Sequence, residues 1–76
     1  MNKAERAQTY LRDEFFIELF DAQVEFYKSK IFNSHEDDIE GREKALVKLR
    51  AIQEFHDSIQ SIADQSEIEK KRFKVF

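Results

Sequence analysis

Residues 32–38 read FNSHEDD, a short polar stretch between two segments that hold nothing to stop a helix. Asn33 is a common helix stop, and Ser34 with Asp37 three residues on forms a capping-box-like pair. Glu36, Asp37 and Asp38 then fall in the first turn of the next helix, where the dipole favours negative charge. Gly41 leaves room for that start to lie a few residues later. A connection this short makes the flanking helices antiparallel neighbours. The stretch therefore predicts an all-α fold, an antiparallel helical hairpin in a single domain over 1–76. Its parts are a helix over about 3–32, a helix over about 35–64 and a short C-terminal segment over about 66–76.

Upstream of the turn, Phe15, Phe16, Leu19, Phe20, Ala22, Val24, Phe26, Tyr27 and Ile31 spread over more than half of a helical wheel. Glu14, Glu18, Asp21 and Glu25 share the opposite face. One packed neighbour covers a stripe of roughly 100°. So wide an apolar face asks for a second neighbour and predicts self-association into a helical bundle. Downstream, Asp38, Arg42, Ala45, Leu49, Ile52, His56, Ile59 and Ala63 follow at alternating steps of four and three, a coiled-coil-like seam. Phe55 and Ile62 widen it. The residues expected to drive self-association are Phe15, Phe16, Leu19, Phe20, Val24, Tyr27, Leu49, Ile52, His56 and Ile59.

After the seam, Ser66-Glu67-Ile68-Glu69 repeats a capping-box pattern, and Ile68 would fall off the seam on a continuous helix. A break is expected around Asp64 to Ser66. The closing RFKVF alternates polar and apolar, which suits an extended segment. Lys70, Lys71, Arg72, Phe73, Lys74, Val75 and Phe76 have three readings. Phe73 and Phe76 can cap the bundle end while the lysines stay wet. The segment can add a strand to a partner's sheet. Its cations can also hold nucleic-acid phosphates. That last reading ranks third, because residues 1–69 carry nine cations against sixteen acids, a net of −7.

Composition supports helices: there is no proline, one glycine and no cysteine, with eight phenylalanines to build an apolar seam. Without cysteine, neither disulfides nor thiolate metal sites can supplement so small a core. No apolar run is long enough to span a bilayer and the first residues lack a signal-peptide core, so a cytoplasmic protein without membrane contact is expected.

Catalysis finds little purchase. His35, Glu36, Asp37 and Asp38 look like metal ligands, but neighbours on a helix point apart and the calcium-loop spacing is absent. Helix capping explains them better. His56 is expected to be a partly buried seam histidine bonded to a side chain or carbonyl, with a pH-sensitive switch of association as the alternative. The acidic stripe is an ordinary solvated face or a mimic of nucleic-acid phosphates. No Gly-rich phosphate loop or Ser/His/Asp set occurs. No enzyme, metal or cofactor is predicted.

Ile31-Phe32-Asn33-Ser34, Asp38, Gly41-Arg42-Glu43, Leu49-Arg50-Ala51-Ile52 and Lys71-Arg72-Phe73-Lys74 resemble small all-helical proteins of tailed bacteriophages and prophages. Those proteins mostly have no assigned activity and are often encoded near capsid or DNA-packaging genes. The resemblance implies an assembly or packaging accessory that contacts itself and a virion or packaging component, in the host cytoplasm or with the virion. The rivals are a small nucleic-acid-binding regulator using the basic tail and an acidic inhibitor that binds a host enzyme.

Overall fold

The computed structural model describes the backbone from Asn2 to Lys74 and side chains from Asn2 to Gln65. The secondary structure of these residues is α1 (Lys3–Arg12), α2 (Glu14–Phe32) and α3 (Ile39–Lys74). No strand occurs among them.

The single helix expected over 3–32 is two. Asp13 leaves the helical region with φ −69° and ψ 124° and serves both neighbours. Its amide donates to the Tyr10 carbonyl at the end of α1, and its carboxylate accepts from the Phe16 amide at 2.9 Å to open α2. A short carboxylate competes for nearby backbone amides, which favours a cap over a helix interior. At the start of α1, the Asn2 side chain accepts from the Glu5 amide in the same way.

The turn also differs from its reading. Asn33 does end α2, its amide returning to the Ser29 carbonyl at 2.9 Å. Ser34, however, caps nothing: its hydroxyl donates to the Ile31 carbonyl. The N-cap is Asp38, whose carboxylate accepts from the Gly41 amide at 3.0 Å, so α3 begins at Ile39. A Cβ on residue 41 would collide with that carboxylate, which is what the lone glycine is for.

The break expected around Asp64 to Ser66 does not occur. α3 continues through it to Lys74, so residues 72–74 are helical rather than extended, and Val75 and Phe76 lie outside the described residues. Without proline or glycine there, a helix that continues keeps every backbone hydrogen bond, and a serine inside it costs little.

α1 and α2 follow one another along α3 and both pack against it. Phe20 meets His56 while Tyr27 lies beside Lys48, so α2 and α3 run in opposite senses. The molecule measures 59 × 25 × 14 Å, and it is two helices wide and one thick where α1 and α2 lie along α3. Its core is Ala7, Val24, Ala45, Leu49 and Ala63, and among the described residues no large side chain is fully buried. Three alanines in five core positions let the helices approach closely. At one such point the Gln8 side-chain amide reaches the Ala63 carbonyl at 3.1 Å, tying α1 to α3.

Candidate interaction surface

A slab this thin has two broad sides, and they differ in chemistry. On one side an apolar groove of about 510 Å³ runs between α1 and α3, with Tyr10, Phe16, Phe55 and Ile62 along it and Lys3 and Arg6 at its end. A second groove of about 340 Å³ follows between α2 and α3, lined by Leu19, Phe20, Ala51 and Ile52. Phe16 and Phe55 belong to both, so the grooves form one continuous trough. Phe55 within it is 66% exposed, and on α2 Phe15 is 72% and Phe26 51% exposed. The trough and α2 therefore both present aromatic rings to water.

The helical repeat explains the arrangement. Val24 and the edges of Phe16, Phe20 and Tyr27 turn toward α3, while Leu19, one turn-flank away, lies at the trough. On the far side of α2, roughly 150° around at 100° per residue, stand Glu14, Glu18, Asp21 and Glu25, all exposed. Gln53 and Asp57 continue that polar side on α3.

The ten residues expected to drive self-association thus divide. Val24 and Leu49 are buried within the chain's own core. Phe16, Phe20, Tyr27, Ile52, His56 and Ile59 are half-buried at the seam. Phe15 and Leu19 are exposed. Phe55 and Ile62, expected to widen the seam, lie on the trough with Phe16 and Leu19, as does Tyr10, which the spacing did not mark. Phe55 and Ile62 flank the seam on one side only. Lys70 to Phe76 lie outside the described side chains.

His56 is held by rings rather than by the hydrogen bond expected for it. Its imidazole stacks on Phe20 at 4.3 Å between centroids and faces Phe16 at 6.2 Å. The two phenylalanines are four residues apart on α2, so both reach the same seam position.

At the turn, Arg42 gathers the loop. Its guanidinium donates to the His35 carbonyl at 2.6 Å, the Glu36 carbonyl at 3.1 Å and the Ser34 hydroxyl at 3.3 Å. Asp38 is occupied as the cap. Among the described residues no three of His, Cys, Asp and Glu group to hold a metal ion, and no helix is long and apolar enough to cross a membrane. No protein-family model matches the chain, and no curated protein or solved structure matches it either.

Proposed function

We propose that the protein is a non-enzymatic helical hairpin that self-associates and acts through protein contacts, as an assembly or DNA-packaging accessory of the phage type. One observation carries this reading: an apolar trough with an exposed Phe55, together with exposed Phe15 and Phe26 on α2, on a chain whose own core is largely alanine. A contiguous apolar patch rimmed by polar groups is the usual mark of a protein contact. The partner contact proposed beside self-association is Lys70 to Phe76, with Phe73 and Val75 as its apolar anchors.

Light scattering over a concentration series tests the reading. A mass above that of one chain is expected throughout the micromolar range. A monomer at every concentration would sink it. The acid stripe favours a second reading, an inhibitor that binds a basic host enzyme, because Glu14, Glu18, Asp21 and Glu25 all point into solvent. Under that reading Glu14→Lys with Glu18→Lys abolishes binding to the enzyme and leaves the mass unchanged.

A further inference from the structure

We infer that a hollow at the turn end of the molecule binds a small multivalent oxyanion of the phosphate class, held by Lys30, Lys44 and Lys48. It stands apart from the trough and needs no self-association.

The hollow has a volume of about 360 Å³ and lies where α2, the turn and α3 meet. α2 brings Tyr27 and Lys30 to it, the turn Ser34 and Asp38, and α3 Lys44 and Lys48. Helix spacing accounts for the convergence. Lys44 and Lys48 are four residues apart on α3, and Tyr27 and Lys30 three apart on α2, so each pair shares a face. Ala45 lines the hollow too, and so small a buried side chain leaves depth there.

Charge gives the hollow its chemistry. The chain carries sixteen acids against thirteen cations, yet here three lysines stand against one acid, Asp38, a lining net of +2. The Asp38 carboxylate is already engaged by the Gly41 amide as the cap of α3. Lys30 and Lys48 rest on rings rather than on carboxylates. Lys30 Nζ stands 4.7 Å from the centre of the Phe26 ring and Lys48 Nζ 5.9 Å from that of Tyr27. A ring attracts an ammonium but leaves its charge uncancelled. Among the described residues the one ion pair is Lys44 with Glu40, at 3.2 Å and with both side chains mostly in water. A pair so exposed holds weakly and yields to a stronger anion. A cleft lined by one sign of charge focuses the field and concentrates counter-ions within it.

The closing side of the hollow is set in advance. Arg42 bonds the His35 and Glu36 carbonyls and the Ser34 hydroxyl, so the turn does not have to be ordered by the ligand.

Valence chooses the class of ligand. A single carboxylate would leave two of three ammoniums unmatched. A phosphate or pyrophosphate carries several charged oxygens and can accept from both helices at once. Lysine suits such a ligand, as a compact charge with three donors on a flexible stem. A nucleic-acid strand suits the place less. Glu40 and Glu43 line the adjoining groove, and Glu36 and Asp37 are exposed on the turn, so a strand leaving the hollow would run over carboxylates.

Sodium pyrophosphate titrated into the full chain, followed by amide NMR shifts against sodium chloride at matched ionic strength, tests the site. Expected are saturable shifts at Tyr27, Ser34, Gly41 and Lys48 beyond those chloride produces, with Phe16 and Phe55 unmoved. Lys30→Gln with Lys48→Gln should weaken binding at least about tenfold, since each change removes a charged hydrogen bond. Lys3→Gln with Lys28→Gln removes the same charge outside the hollow and should alter affinity less than about twofold. All four positions are exposed and helical, and glutamine keeps a helix as well as lysine does. Shifts no larger than those of chloride, or equal weakening by the two double variants, would overturn the site. Single-stranded DNA is the last arm. Tighter binding of it than of pyrophosphate, lost in the Lys30 and Lys48 double variant, would overturn the small anion and make a nucleic-acid backbone the ligand.

Discussion

Arg42 does at the turn what no smaller cation can. Its planar fork spans two carbonyls and a hydroxyl on three successive residues, Ser34, His35 and Glu36, whereas an ammonium would act as a single point. Arg42→Ala should lower stability by about 2 kcal/mol in urea unfolding, given the usual worth of charged hydrogen bonds partly open to water. Arg42→Lys should recover less than half of that loss. Asp38 and Gly41 form a second unit at the same place. Removing the cap in Asp38→Ala should cost about 1 kcal/mol. Gly41→Ala alone should gain little, because the methyl displaces the capping carboxylate and cancels its helix-forming advantage. With the carboxylate gone, the same change should stabilise by about 1 kcal/mol relative to Asp38→Ala, so the two effects will not add.

Among the elements, α1 depends most on its neighbours. Ten residues are too few for a helix to hold in water alone. It stays because Ala7 sits close on α3 and Gln8 bonds the Ala63 carbonyl. Ala63→Leu should push it away: amide hydrogen exchange over 4–12 should speed by at least about tenfold, as a locally opened unit does, while the amides of α2 around Val24 keep their protection. The helical character of residues 3–32 and of α3 as far as Asp64 was legible in the sequence, and so were the turn at Asn33 and the seam through Ala45, Leu49 and Ala63, because these rest on spacing and composition. The boundaries were not. Asp13, Ser34 and Asp38 are all residues that can cap, and Ser66 sits in a pattern that can cap. Which of them does so depends on where the chain must bend to lay α1 and α2 along α3. At Asp13 the bend is needed; at Ser66 it is not.

Across the whole molecule, Phe15, Leu19 and Phe26 of the wide apolar face on the first segment remain exposed. Its location was less legible. A wheel treats each helix alone and cannot tell that Phe55 and Ile62 of α3 join Phe16 and Leu19 in one trough. If copies complete one another's cores there, melting will depend on concentration: the midpoint should rise as the protein is concentrated, as mass action requires, and the Phe55→Asp variant should show no such rise. The acid stripe of α2 then acquires a meaning for how assembly stops. A pair joined trough to trough turns Glu14, Glu18, Asp21 and Glu25 of both members outward, so a third slab approaching from above would meet a face on which carboxylates outnumber the lone Lys28 of α2. A two-fold contact also uses the same patch on both members, leaving no sticky end. Growth halts at a countable particle instead of running on into a fibre, and the net negative shell keeps those particles apart in solution.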